Sequence, residues 1–449
     1  MLVPPDKKEV RHGRSLLIWG DLPHWMVVDA EMETFLQSLD GTVSLAARVA
    51  AKRRSRRALA KIASDLLGVG VLRDVGAPLS LRRLAAEPKI ENLAINLTSR
   101  CNLRCEFCYY RDSLQAAPQG EITSAEICRF LNDARPLSAK SASLVILGGE
   151  PLLEPEKLLA VAAHARKRGL KCLVSTNGTL VTSALAAEAR RLGLEMQVSI
   201  DGPDTTIHDA VRGRGSFERA VAGVRALVAA RVHTIISMVC HQQIAGRLNE
   251  FFSLAANLGV QEARFIPLKR LGGASRSGQR PMLLSRLMHE TRTMLSRRPE
   301  FLRLMGRDAF SILANTCRYS AKRPSCGTGL QTILLDADGS LYPCLNLCMP
   351  EFRIASIRDP DYDLAGMWNR SAVLRQVRED TRLDNAGRAC SRCSVRYWCL
   401  GGCRGETLAL TGDLRAPAAN CADLKRAMMD MMWFLADAPE LVRPATRIC

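Results

Sequence analysis

The sequence predicts an α/β protein, and three observations carry the prediction. Between residues 93 and 268, short apolar runs alternate with amphipathic stretches, giving six strand-like segments. That is the pattern of βα units that assemble into a parallel sheet, either open or a partial barrel. Two strand-like runs and three helical ones precede this region, and a cysteine-dense, loop-rich segment from Cys317 to Cys421 follows it. The expected organisation is a small unit over residues 1–75, a linker over 76–90 containing Pro78 and Pro88, a sheet domain over 91–310, a cysteine-rich domain over 311–425, and a helix with a tail over 426–449.

In the N-terminal unit, Ser15-Leu-Leu-Ile-Trp-Gly and Trp25-Met-Val-Val-Asp read as two short strands around a turn containing Pro23. Helical periodicity follows at 30–39, 43–52 and 56–67, with Asp40-Gly41 breaking the first helix from the second. Gly68-Val-Gly-Val-Leu reads as a closing strand. The six later runs are Leu93–Leu97, Ala142–Leu147, Lys171–Ser175, Met196–Ile200, Thr234–Val239 and Ala263–Leu268. Helical patterns lie between them at 124–134, 155–168, 182–192, 216–230 and 245–258. Residues 275–310 read as a helical insertion, and 422–436 as a final helix.

The chain has 449 residues, 47% of them hydrophobic, enough for two or three domains with their own cores. Its first residues lack an apolar run behind their charges, and no stretch approaches 18 uninterrupted apolar residues. A cytoplasmic protein with reduced thiols and no membrane contact is expected. The net charge of +18 suggests nucleic acid. However, the arginines are scattered along helices (Arg53, Arg54, Arg190, Arg191, Arg297, Arg298) without the interleaved aromatics of a base-stacking platform. A basic surface for an acidic peptide or cofactor explains the charge as well, so nucleic acid is disfavoured.

Sixteen cysteines carry the chemistry. The first group is Cys101-Asn-Leu-Arg-Cys105-Glu-Phe-Cys108. At this cysteine content, chance supplies about 0.02 copies of such a CxxxCxxC run. Further on stand Cys326-x12-Gly339-x4-Cys344, then Cys390-x2-Cys393-x5-Cys399-x3-Cys403, then Cys421. These spacings bring several thiolates into one small volume, as iron–sulfur clusters require. Disulfides are disfavoured in a long chain without an export signal. Zinc competes only for Cys390–Cys403. Three thiolates in the first group leave one iron of a four-iron cluster open, and an open iron chelates a small molecule through an amine and a carboxylate.

The first group, with Phe107 just before its last cysteine, resembles the radical S-adenosylmethionine (SAM) enzymes. The resemblance implies a partial (β/α)6 TIM-like barrel and a [4Fe–4S] cluster that cleaves SAM reductively. Cleavage would yield methionine and a 5′-deoxyadenosyl radical, which takes a hydrogen from substrate. It also implies SAM contacts at successive strand ends. Gly148-Gly149-Glu150 is similar to the motif that meets the methionine amino group. Ser175 and Asn177 belong to Ser175-Thr-Asn-Gly at the third strand end. Ser199 and Asp201 would approach the ribose, although Asp201 equally suits a turn cap. Arg212, in His208-Asp-Ala-Val-Arg-Gly213, would pair with the SAM carboxylate, a task suited to a bidentate guanidinium.

The later cysteines resemble the SPASM domain, which holds two auxiliary [4Fe–4S] clusters in peptide- and protein-modifying members. That resemblance assigns Cys390, Cys393, Cys399 and Cys421 to an outer cluster, and Cys326, Cys344 and Cys403 to an inner one. Cys317 is the expected fourth inner ligand, with Cys348 or an open site as alternatives. Three clusters so ligated would contribute about −1, −2 and −2 against the basic charge. Cys128, Cys172, Cys240 and Cys449 fit no ligand pattern, and Met428–Met432 reads as packing.

The Leu39-Asp40-Gly41 turn and the closing Gly-Val-Leu resemble a winged-helix-like PqqD-like element that grips precursor peptides. The expected function is thus a radical SAM maturase that modifies or crosslinks a peptide or small protein, reduced by a donor such as flavodoxin or ferredoxin. Rival readings are a SPASM enzyme acting on a small cofactor or tetrapyrrole precursor and a sulfatase-type Cys/Ser maturase. A non-enzymatic iron–sulfur or peptide-binding scaffold is the third.

Overall fold

Period-two alternation of apolar residues builds an antiparallel meander at the N-terminus: β1 (Lys7–Arg11), β2 (Arg14–Trp19) and β3 (His24–Asp29). These coordinates are a computed structural model describing residues 1–50, 56–77, 87–115, 120–305, 323–383 and 389–438. Strand β1 was not anticipated, because its charged and exposed residues carry no apolar signal. Its register, Arg11 opposite Arg14, comes from His12 and Gly13, both at positive φ, as a type I′ turn requires. Strand β2 is buried on both faces. Leu17 and Trp19 pack under the helices of this unit (Ala30–Gln37, Leu45–Ala50, Arg56–Gly68), whereas Leu16 and Ile18 join the core of the rest of the chain. The expected closing strand is only a single bridge between Leu72 and Leu2.

The six expected runs form β4 (Ile90–Asn96), β5 (Ser138–Leu147), β6 (Lys171–Thr176), β7 (Glu195–Ser199), β8 (His233–Cys240) and β9 (Glu262–Pro267). All are parallel and lie side by side in chain order. The sheet is open, with β9 at one edge. In β6 and β7, alternate residues are fully buried beneath the crossover helices, and the others, including Ser175, Gln197 and Ser199, are half-buried on the opposite face. Catalytic groups of parallel sheets gather at the C-terminal strand ends, and the cysteine loop leaves β4 there.

The cysteine-rich segment extends this sheet. Strand β10 (Thr332–Leu335) pairs in parallel with β4, and β11 (Ser340–Tyr342) and β12 (Ala355–Ser356) continue it antiparallel. The β10–β11 hairpin turns at Gly339, where φ is +89°, and leads straight to Cys344. The pairing escapes a local reading because β10 and β4 are some 240 positions apart. Cys317 and Cys449 lie outside the described residues.

The last helix, Cys421–Asp437, packs on helix Leu284–Arg297 and buries Met428, Met429, Met431, Met432 and Trp433. It also receives the N-terminal unit. Arg11 pairs with Asp430 (2.6 Å), Arg14 with Asp437 (2.8 Å), and the Trp433 Nε1–H donates to Glu9. Asp21 pairs with Arg396, and Gly20 lies so close to the Ser394 backbone that a Cβ there would clash. The N-terminal unit therefore rests on the loop between Cys393 and Cys399. No described helix is long and apolar enough to cross a membrane.

Candidate active site

The Cys101–Cys108 loop is held by backbone contacts from neighbouring strand ends. Gly149 and Glu150 donate N–H to the carbonyls of Thr98 and Arg100, both at 2.8 Å. The Glu106 N–H donates to Val211 O (3.0 Å), and the Gly273 N–H to Cys108 O (2.8 Å). Beneath the loop, the Glu121 carboxylate accepts from the Ser99 N–H (2.6 Å) and both hydroxyls of Thr98 and Ser99. Sequence reasoning missed Glu121 and Gly273 because the contacts they make to the loop span many residues of chain.

The close approach permitted by the glycine pair is made by the chain itself. A Cβ on Gly148 would meet Thr98 O at 2.5 Å, and one on Gly149 would overlap the Arg100 carbonyl. Gly149→Ala is therefore expected to cost about 1–3 kcal/mol, the usual penalty of overpacking, and to displace Cys101. A thermal melt and an iron count would check it; a variant with unchanged melting and iron would refute the clash. The side chain of Glu150 is buried, accepting from Thr176 Oγ1 (2.6 Å), the Asn177 N–H (2.7 Å) and the Leu152 N–H (3.0 Å). It staples β5 to β6. Burial raises its pKa, against the pull of those donors.

Asn177 reaches back to the loop, donating Nδ2–H to Asn102 Oδ1 (2.8 Å). Ser175 and Ser199 stand half-buried on the sheet face that bears the site. Phe107 is buried with Val211, Leu268 and Ala274, and its ring lies 5.9 Å from that of His241.

Asp201 has no exposed surface. One oxygen accepts the Val239 N–H (2.7 Å) and the other is paired with Arg212 Nε. Arg212 Nη1 lies 3.9 Å from Cys105 Sγ. Burial works against the Arg212 charge, but the paired Asp201 carboxylate outweighs it, so the cation is held more firmly than usual. The three thiols are raised chiefly by burial, Cys108 to about 11, and each lies near another of the three. In the apo chain they are thus protonated, and a metal must displace those protons.

Next to this group, His208 Nδ1 accepts the Asp201 N–H (3.1 Å). Burial lowers its pKa to about 4. The unfolded chain binds that proton near pH 6.5 and the folded chain only near 4, so stability is lost as pH falls through this window. The loss is roughly 3 kcal/mol for the shift between the two values. Melting temperature against pH is expected to fall less steeply for His208→Gln than for the natural chain; parallel profiles would contradict the assignment.

The later cysteines gather in two places. Cys390, Cys393, Cys399 and Cys421 line one cavity of about 250 Å³. Burial pushes the Cys399 thiol up to about 12, helped by the other three. Cys344 likewise reaches about 12 through burial and then its neighbours Cys403 and Cys326. Thr328 Oγ1 lies 3.2 Å from Cys326 Sγ, and Asn346 Nδ2 donates to Cys403 Sγ at 3.3 Å. Cys348 turns elsewhere, its thiol donating to Asp336 Oδ2 (3.5 Å). Asp336 also accepts from Tyr110 Oη and Asn96 Nδ2, both at 2.7 Å. Cys128, Cys172 and Cys240 are unbridged, and the last two are buried.

The donor sets are all sulfur, which suits iron–sulfur clusters. Among the described residues no three ligands close on a single ion. A cubane spreads its thiolates over separate irons, so it asks for the wider grouping seen here. A thiol-lined loop over the C-terminal ends of a parallel sheet, with two further thiol groups beyond it, defines an iron–sulfur enzyme of the α/β class.

Residues 95–251 match the Radical SAM superfamily. The chain is 28% identical over 337 residues to the AdoMet-dependent heme synthase of Methanosarcina barkeri, covering 72% of this chain and 93% of that one. It is 27% identical over 339 residues to the mycofactocin maturase MftC of Mycobacterium tuberculosis, covering 73% and 82%. The Streptococcus suis SuiB structure bound to the precursor peptide SuiA superposes with a TM-score of 0.61 at 14% identity, over 94% of this chain and all of the other. The chain thus carries a Radical SAM domain over residues 95–251, and the cofactors of that superfamily are SAM and a [4Fe–4S] cluster.

Proposed function

We propose that the chain modifies a peptide or small protein, with the N-terminal unit gripping a leader segment and the sheet face receiving the residue to be changed. When bound, a [4Fe–4S] cluster with SAM supplies a hydrogen-abstracting radical. Cys101, Cys105 and Cys108 would hold that cluster. Arg212 would meet the SAM carboxylate, the Gly148–Glu150 segment its amino group, and Ser199 its ribose. Asp201 orients Arg212, since both its oxygens are already engaged. Phe107, Ser175 and Asn177 would shape the rest of the SAM pocket. Cys326, Cys344 and Cys403 would hold the inner auxiliary cluster, and the cavity cysteines the outer one. A reduced flavodoxin or ferredoxin would supply electrons.

The observation that carries this reading is the seating of the N-terminal unit on the Cys393–Cys399 loop through Asp21–Arg396 and Gly20–Ser394. A recognition unit fastened there keeps a bound peptide near the auxiliary cysteines. Support also comes from the SuiB likeness, because its 94% coverage leaves too few residues unmatched to omit the N-terminal 75. A tetrapyrrole-modifying reading has the heme synthase identity in its favour, although that relative leaves about a quarter of this chain uncovered.

The test is anaerobic reconstitution with the peptide encoded beside the gene. Reductant-dependent 5′-deoxyadenosine and a mass change in the peptide are expected. Turnover with a porphyrin precursor, and none with any peptide, would replace this reading with the tetrapyrrole one.

A further inference from the structure

Arg404 carries a charge that nothing among the described residues balances. It opens helix Arg404–Thr411, directly after Cys403, and is 1% exposed. Its Nη1 donates to the carbonyls of Leu414 (3.1 Å) and Ala416 (2.9 Å). Its Nε and Nη2 are buried and have no acceptor. A guanidinium does not escape burial by losing its proton, and an unpaired buried charge costs several kcal/mol. A site of this kind asks for an anion.

The surroundings point to where that anion sits. Gly401, at φ +76°, stands against the guanidinium; a Cβ there would lie 3.1 Å from Nη2 and 3.3 Å from Cζ. The same glycine lines the cavity of Cys390, Cys393, Cys399 and Cys421. The segment accepting from Nη1 runs on into Pro417 and Ala418, which line that cavity too. One residue without a side chain therefore separates the orphaned cation from the outer thiol group.

We propose that Arg404 is the fixed counter-cation of the outer iron–sulfur cluster and sets its reduction potential. The inference rests on the assignment of Cys390, Cys393, Cys399 and Cys421 as that cluster's ligands. A four-iron core on four thiolates carries about −2, and about −3 after taking up one electron. A cation held in place favours the more negative form, so it raises the potential. Arg404 is a positioning and tuning residue and touches no substrate.

The experiment uses the full chain with Cys101, Cys105 and Cys108 all replaced by alanine, so that only auxiliary clusters report. Dithionite titration followed by electron paramagnetic resonance is run with and without Arg404→Met. One auxiliary signal is expected to move to a more negative potential, and Arg404→Lys to restore most of the shift. In the same background with Cys390→Ala and Cys393→Ala, Arg404→Met is expected to leave the remaining potential unchanged. Unmoved potentials with iron retained at about eight per chain would overturn the proposal, as would a shift confined to the inner cluster. Should Arg404→Met lose about four irons, retention by Arg404→Lys supports the need for charge, and loss in both variants refutes it. The ligand assignment fails separately, if Cys390→Ala with Cys393→Ala leaves iron at about eight.

Discussion

Cys105→Ala is expected to reduce 5′-deoxyadenosine formation to background and to remove about four of about twelve irons per chain. Cys105 is the thiol that Arg212 approaches at 3.9 Å, and burial, Arg212 and Asp201 all act on it. Two remaining thiolates, Cys101 and Cys108, leave a four-iron cluster with two open corners, and chelation of this kind does not survive losing a third of its anchors. The auxiliary cysteines lie on other segments, so about eight irons should remain. Iron analysis and nucleoside chromatography on the same preparation check both halves. Full iron together with 5′-deoxyadenosine would remove Cys105 from the ligand set.

Arg212→Leu is the second large effect. Asp201 has no exposed surface and would keep only the Val239 N–H. Breaking a buried pair by removing one partner costs about 3–5 kcal/mol, because the stranded charge remains. Adding Asp201→Asn should recover much of that stability, since the charge is then gone as well. SAM affinity should stay lost in the double variant, by roughly 10–150-fold for a charge-assisted hydrogen bond of 1.5–3 kcal/mol. Thermal melting and equilibrium dialysis separate the two tasks. Recovery of both would mean that Arg212 serves only to neutralise Asp201.

The sheet strands were legible because their runs are short, apolar and separated by helical patterns, and each appears within a few residues of its expected place. β1 was not, since an edge strand carried by a two-residue turn needs no apolar face of its own. The glycine pair was legible as a place of close approach, but what approaches is the carbonyl backbone of Thr98 and Arg100. The Gly148–Arg212 motifs lie near the loop, yet the partners of Glu150 and Asp201 emerged only from folding.

The order of residues is enough to mark the six consecutive parallel strands of the sheet and the cysteines as the chemistry-bearing residues. Spacing reveals Cys101–Cys108 and Cys390–Cys403, because cysteines a few residues apart are close in any conformation, whereas Cys326 and Cys344 reach Cys403 only through folding. Cys421 is grouped with Cys390, Cys393 and Cys399 by the family resemblance, and the tertiary structure lines one cavity with all four; it alone decided that Cys348 turns to Asp336. It also decided that the cysteine-rich hairpin extends the sheet at β4, that the N-terminal unit sits on the Cys393–Cys399 loop, and that Arg404 is buried behind Gly401. These are contacts between segments far apart in the chain, set by burial and by the pairing of charges. Such energies depend on what surrounds a residue, and no local pattern records them.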